Sequence, residues 1–333
     1  MKKILRVGDP HVQISNMSDS QKLIDFVLKT AIEKKIKTIE FLGDLFHTHA
    51  ILRSEIVHFW KNTFEKIDSE KIQCIVLVGN HDQHPSKEKQ QIINALNVFE
   101  ATNKTNNHRI IVNKPMIIDN IAYIPHTSDH NKFIQDSCDL FEKGAQKLLV
   151  AHQTFTGARY DNGFYAQDGI EIDLVSQESI ISGHIHTRQQ IGKCDYPGTA
   201  KWDTISDSNL EKGIWVYDHD DLGAVMGKEF ISTYDVVKPI NKITLREGEK
   251  EPKLDLNARN YLELIGKTSW ITKIKKKYKG NVHIKARPTD RKSIVHLNGE
   301  IESIKDFLFV KFDVIDGIKK ESIQSFLEEL ENE

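Results

Sequence analysis

Side chains that hold hard cations recur in this sequence at short, regular spacings. Asp9 and His11 stand two apart in Gly8-Asp9-Pro10-His11, and His184 and His186 stand two apart in Gly183-His184-Ile185-His186. Residues two apart on an extended chain point to the same side, so each pair can grip one ion. Three further motifs belong with them: Gly43-Asp44-Leu45-Phe46-His47, Gly79-Asn80-His81-Asp82 and Ala151-His152. Their glycines let backbone approach closely where a Cβ would intrude. The set supplies seven mixed oxygen and nitrogen ligands. That is too many for one tetrahedral zinc, but it suits two adjacent octahedral-type ions sharing a carboxylate, for which Asp44 is the natural bridge.

These motifs need elements to carry them, and each follows an apolar run. Ile4–Val7, Thr38–Leu42 and Cys74–Val78 read as strands, and so do Arg109–Val112, Met116–Ile124, Lys147–Ala151 and Ser179–Ser182. Ser20–Glu33 and Arg53–Asp68 read as helices, the second with Ile56, Phe59, Trp60, Thr63, Phe64 and Ile67 on one broad face. This alternation predicts a layered α/β domain around a largely buried sheet, with ligands collecting at strand ends. After His186, Lys212–Asp218, Lys228–Thr233 and Lys242–Leu245 read as strands of a hairpin-rich closing section with a turn at Asp220–Gly223. The charged stretch Arg246–Lys253 reads as a linker. Beyond it a second domain is expected, carrying the basic run Lys273–Lys279 and a terminal helical stripe of Ile323, Phe326, Leu327 and Leu330.

Composition narrows the class. At 333 residues, 39% hydrophobic and 28% charged, the chain can bury a sizeable core. A formal charge of −2 argues against coating nucleic acid by bulk electrostatics and leaves room for a local basic groove. Cys74, Cys138 and Cys194, three and widely spaced, form neither a disulfide framework nor a paired zinc site, which suggests a reducing compartment. With no signal-like N-terminus and no membrane-spanning run, the expectation is cytoplasmic. No Gly-x-x-x-x-Gly-Lys-Ser/Thr loop occurs, so any ATP dependence must come from another subunit.

Taken in order, the five motifs resemble the calcineurin-like metallophosphoesterase superfamily. More narrowly, Gly43–His47 and the segment Tyr196-Pro197-Gly198-Thr199 resemble the SbcD-type nuclease subunits of the double-strand-break repair complex. The resemblance spans about residues 1–245. It implies an α/β layered metallophosphoesterase sandwich, central β-sheets flanked by helices, over residues 1–245, with a smaller C-terminal α+β DNA-capping and partner-binding domain over 246–333. It places Asp9, His11, Asp44 and His186 on one metal and Asp44, Asn80, His152 and His184 on the other, with manganese expected in use. His81 would contact the scissile phosphate and help the leaving oxygen depart, with Asp82 orienting its ring and His47 near the DNA. Ala151 stands where many relatives have Gly, a departure that bears on the metal geometry around His152. The partners implied are DNA, an SbcC-like coiled-coil ATPase subunit and a second copy of the chain.

The implied activity is metal-dependent cutting of DNA phosphodiester bonds, as a double-strand exonuclease and a single-strand endonuclease, in repair or recombination. A phosphodiester resists hydroxide because both are negative, and two neighbouring cations neutralise the one and generate the other. The competing readings are a small-nucleotide phosphodiesterase or phosphatase with the same core, and a catalytically silent scaffold that binds DNA ends. Protein phosphatases are disfavoured, since their Gly-Asp-x-Val-Asp-Arg-Gly and Gly-Asn-His-Glu signatures are replaced here. Several features carry plainer readings: His49, His84, His126 and His130 as ordinary loop residues, and the lysine run with Trp270 and Tyr278 as either a phosphate grip or a solvated face. The apolar stripe from Ile56 to Ile67 most simply packs on its own sheet, but the resemblance implies a homodimer bundle and the dimer is expected through Phe59, Trp60 and the Ile92–Phe99 region, because two exposed aromatics would be odd on a monomer surface.

Overall fold

The computed structural model describes residues 1–48, 51–83, 94–100, 108–278 and 282–290. The chain runs β1 (Lys2–Val7), α1 (Met17–Glu33), β2 (Thr38–Phe41), α2 (Ser54–Ser69), β3 (Gln73–Leu77), α3 (Asn97–Glu100) and β4 (Arg109–Val112). There follow β5 (Met116–Ile118), β6 (Ile121–Ile124), α4 (His130–Glu142), β7 (Leu148–His152), β8 (Ser179–Gly183), β9 (Gln189–Ile191) and β10 (Cys194–Tyr196). It closes with β11 (Gly213–His219), β12 (Val225–Ser232), β13 (Ile240–Arg246), β14 (Arg259–Gly266), α5 (Thr268–Lys277) and β15 (Val282–Pro288).

Two six-stranded sheets lie at the centre, ordered β12-β11-β1-β2-β3-β4 and β5-β6-β7-β8-β10-β9. In the first, β1 to β4 run parallel and β11 returns antiparallel on β1. In the second, β6, β7, β8 and β10 run parallel. Alternation along β1 shows the layering. Leu5 and Val7 join the core shared with α1 and α2, whereas Ile4 joins the core between the sheets with Leu42, Val150 and Ile181. A further core, with Phe133, Leu140 and Leu149, lies under α4. The order is therefore helices, sheet, sheet, helix, the layered α/β architecture expected from the sequence.

The inter-sheet layer is not wholly apolar. Buried Arg6 of β1 donates to Glu40 of β2 at 2.6 Å, and Tyr123 of β6, in the other sheet, donates to the same carboxylate. An unpaired charge here would cost several kcal/mol, so this network fixes how the two sheets face each other.

Three expectations need correction. Met116–Ile124 is two strands, because Asp119 and Asn120 take left-handed φ of 50° and 65° and close a hairpin between β5 and β6. The Lys242–Leu245 strand is β13, which pairs parallel with β14 in a separate sheet ordered β13-β14-β15. Phe59 and Trp60 are not surface residues: Trp60 is 0% exposed and packs its ring 5.4 Å from Phe41 and 5.6 Å from Phe64. Phe99 is likewise buried, 5.2 Å from Phe64. The apolar stripe of α2 serves its own sheet, and the argument for a dimer through these aromatics fails. His49, His84, Ile92, Lys279 and the terminal stripe lie outside the described residues. Among the described residues no helix is long and apolar enough to cross a membrane.

Candidate metal centre

Parallel strands end on the same edge, and here β1, β2 and β3 of one sheet and β7 and β8 of the other deliver their following residues to one place. The loops after β1 and β2 are laced together, His11 N donating to Asp44 O at 2.9 Å and Val12 N to Leu45 O at 2.9 Å. The turns are tight. Asp9, His11, Asp44 and His184 adopt φ of 31°, 41°, 50° and 79°, in the left-handed region that side chains with a Cβ rarely occupy. Such strain gathers at functional sites, where the surroundings hold it in place. Gly43 and Gly79 are required by the packing: a Cβ at the first would strike the His152 ring, and one at the second the Asp44 carboxylate.

Asp44 is the centre of the arrangement. Its Oδ1 accepts from the His81 amide at 2.8 Å. Its Oδ2 lies 3.2 Å from His152 Nε2 and 3.6 Å from His11 Nε2, between two groups of histidines. On one side, Asn80 Oδ1 is 3.0 Å from His152 Nε2 and 2.8 Å from His184 Nδ1, and those two nitrogens are 3.3 Å apart. On the other, His11 Nε2 faces His186 Nε2 at 3.0 Å. Asp9 joins the two sides, with Oδ2 accepting from the His184 amide at 3.0 Å and Oδ1 at 3.5 Å from His152 Nδ1. His152 Nδ1 lies 2.7 Å from the Leu42 carbonyl, so it carries the proton and turns Nε2 toward Asp44 and Asn80. All seven sequence-predicted ligand residues are thus gathered within one cluster.

The donors suit divalent cations. Each facing pair of imidazole nitrogens has room for one shared proton, whereas a cation satisfies both lone pairs. Asp9 Oδ1 and His11 Nδ1 are buried without a hydrogen-bond partner among the described residues. The charges are strained in the same sense. Burial, with Asp44 nearby, pushes Asp9 up to about 6 against the pull of His152. Burial alone would lower His152, yet Asp44 and Asp9 hold it up to about 9. Burial likewise opposes the charge on Asp44, but His152 and His11 outweigh it and keep that carboxyl well below the usual range. Burial and then His152 lower His184 to about 3. Divalent cations relieve this crowding of acids and imidazoles.

His81 and His47 stand beside the cluster. The His81 ring centroid is 4.7 Å from that of His11, and its Nδ1 lies 2.6 Å from the His47 carbonyl. Asp82 does not orient the His81 ring as expected. Its oxygens accept from the Phe46 amide at 3.1 Å and the Gly79 amide at 3.0 Å, so it ties the loop after β2 to the loop after β3. The ring-orienting part falls to the His47 backbone. The His47 ring sits 5.5 Å from the His11 ring, and its Nδ1 is buried without a hydrogen-bond partner among the described residues.

Sequence reasoning missed three residues that support the cluster. Asp161 Oδ2 lies 3.2 Å from His186 Nδ1, and its Oδ1 accepts from Thr187 at 2.9 Å. Buried Lys212 donates to the His186 carbonyl at 2.9 Å, to Thr199 Oγ1 at 2.6 Å and to Asp207 at 2.6 Å. His126, read as an ordinary loop residue, stacks 5.8 Å from the His184 ring and is lowered to about 4 by burial and then His152. The motif flanks gave no signal for Asp161 or Lys212, although Lys212 opens a strand that was itself legible.

A family model of the calcineurin-like phosphoesterases matches residues 2–188. A comparison with curated proteins finds none that matches. Among solved structures, one described as a novel archaeal phosphodiesterase is 12% identical, with a TM-score of 0.36, covering 69% of this chain and 99% of that one. The family match begins in β1, before Asp9, and ends just past His186, so it takes in every residue gathered around Asp44. The chain belongs to the calcineurin-like phosphoesterase family, hydrolases that work with divalent metals.

Proposed function

We propose that this phosphoesterase is the nuclease subunit of a DNA-repair or recombination complex, similar to the SbcD-type subunits, cutting duplex ends and single strands. The observation that carries the reading is where the two subunit-like segments lie. Gly43–His47 supplies Asp44 and the carbonyl behind His81. In Tyr196–Thr199, the Thr199 amide donates to the His186 carbonyl at 3.2 Å, and the following Ala200 amide donates to Gly8 O at 3.1 Å. Both segments therefore bear on the site itself.

Asp9, His11, Asp44 and His186 would hold one ion and Asp44, Asn80, His152 and His184 the other, with manganese the proposed metal. When bound, the pair neutralises the phosphate and makes water acidic enough to supply hydroxide at neutral pH. The protein's own contribution is position and protons. The His47 carbonyl accepts from His81 Nδ1 in either protonation state, which steadies the imidazolium and leaves Nε2–H to protonate the leaving 3′-oxygen. Asp82 keeps that loop in register through its two amide contacts.

The proposed nuclease domain, expected over 1–245, and the proposed DNA-capping and partner-binding domain, expected over 246–333, are divided here before β13 instead, because β13 pairs with β14 and the stretch Arg246–Lys253 joins those two strands rather than two domains. A cytoplasmic setting, an SbcC-like ATPase partner and a homodimer belong to the same reading, the homodimer without the buried aromatics of α2. End-labelled duplex DNA with manganese, compared with bis-p-nitrophenyl phosphate and cyclic nucleotides, is the test. Cutting of the duplex and of bis-p-nitrophenyl phosphate is expected. Turnover confined to cyclic nucleotides would overturn the proposal.

A further inference from the structure

The third sheet has two unlike faces. One is apolar: Leu245, Leu262 and Leu264 pack with Ile284 against Ile271 and Ile274 of α5. The other carries the alternate residues, and the parallel register sets them in rows across the strands. The first row is Lys242, Tyr261 and His283, the second Thr244, Glu263 and Lys285, the third Arg246, Ile265 and Arg287.

Read down the strands, this face is a track. The middle strand offers Tyr261 and Ile265, and exposed cations flank them: Lys242 and Arg246 on β13, Lys285 and Arg287 on β15. Its one acid, Glu263, is neutralised by Arg287 at 2.6 Å. The Tyr261 and His283 rings stack with centroids 4.7 Å apart and planes 13° apart. His283 is exposed on an outer strand, so it is the open end of that stack. A cavity of about 260 Å³ lies over the pair, with Ile205, 46% exposed, at its rim. Ile205 is two residues from Asp207, and Asp207 accepts from the same buried Lys212 that donates to the His186 carbonyl, so the chain beneath the cavity is tied to the support of the metal centre.

Resting on the nuclease reading, we propose that this face is a platform for single-stranded nucleic acid, with a base continuing the Tyr261–His283 stack and the flanking lysines and arginines taking the phosphates. Planar rings exposed beside cations suit alternating bases and phosphates, because every base has a stacking face and every linkage a negative charge. An apolar protein partner would leave Lys242, Arg246 and Lys285 facing a surface without anions.

The test is fluorescence anisotropy of a labelled oligothymidylate with the full chain in chelator, so that no strand is cut. His283→Ala should weaken binding about tenfold, the usual scale for one lost stack. Tyr261→Phe should stay within twofold of wild type. Replacing Lys242 and Lys285 together by Ala should lower the salt dependence by about 1.4 in slope, roughly 0.7 for each lost phosphate contact. These exposed lysines decide the matter if His283→Ala does not fold. Hydrolysis of bis-p-nitrophenyl phosphate with manganese should be unchanged throughout. Wild-type protein that binds no oligothymidylate, or variants that bind as wild type does because protein covers this face, would overturn the platform. Wild type that binds as expected yet cuts no DNA would instead overturn the nuclease reading and leave the platform standing.

Discussion

Asn80 and His81 are neighbours assigned different tasks: the Asn80 oxygen sits between His152 and His184, while the His81 ring turns to His11 and the His47 carbonyl. His81→Asn should therefore keep its metals and near-normal DNA affinity, while cleavage slows by roughly 10²–10⁴, the range for a lost general acid. A His184→Ala protein should lose a metal and recover partly as manganese rises, because mass action refills a weakened site. Single-turnover rates across a manganese titration, with a metal count on each protein, separate the two. Rescue of His81→Asn by manganese would make His81 a ligand. Asp161 extends the same logic outward. By accepting from His186 Nδ1 it leaves Nε2 to face the cluster. Asp161→Ala should weaken metal binding about 10- to 100-fold by calorimetry, and Asp161→Asn, which keeps an acceptor oxygen, much less. An unchanged affinity in the alanine variant removes that role. The residues gathered around Asp44 were legible because dense motifs carry them. Asp161 was not, since it meets His186 only when the loop after β7 folds back over the loop after β8.

Elements were legible wherever one period dominated. The apolar runs before Gly8, Gly43 and Gly79 are strands ending within one residue of where expected, because four adjacent apolar residues between turn signals have few other fates. The stripe on α2 was legible as a stripe, but its partner was not, because a helix face shows how much area must be covered and not what covers it. Trp60 against Phe41, Phe59 and Phe64 settles the partner as the chain itself. Trp60→Ala should accordingly cost about 3–5 kcal/mol in urea unfolding, the scale for an emptied aromatic site. Trp60→Glu should yield misfolded protein by circular dichroism, and a folded, soluble monomer from that variant would restore the interface argument. The error at Lys242–Leu245 has a similar cause: a strand's residues do not state whether its neighbour is the previous hairpin or a later βαβ unit.

At the scale of the molecule, protonation of the cluster shows in pH behaviour. His152 is held up to about 9, above an unfolded value near 6.5. Its contribution to the metal-free protein is therefore present in full below about pH 6.5 and is lost as pH rises through 9, and His186, raised by Asp161 and Asp9 against burial, acts in the same direction. The melting temperature of the metal-free protein should fall between pH 6.5 and 9. Metal binding needs the neutral His152 ring, so at pH 7 it should release about one proton, seen as a buffer-dependent heat. A melting temperature that rises across this window, or a heat independent of buffer, would contradict the assignment of His152.

The two sheets contribute unequally and separately to the cluster: Asp9, His11, Asp44 and Asn80 come from strand ends of the first, His152, His184 and His186 from the second. Any ion pair held among them is a clasp between two halves of the molecule, closing chain segments far apart in sequence. Because the site exists only when the two halves are together, binding should stabilise the folded protein by mass action and slow the parting of the layers. Amide exchange offers a direct view. Adding manganese should slow exchange in β2 and β7 together, although those strands belong to different sheets, while β12, at the far edge of the first sheet, should change least.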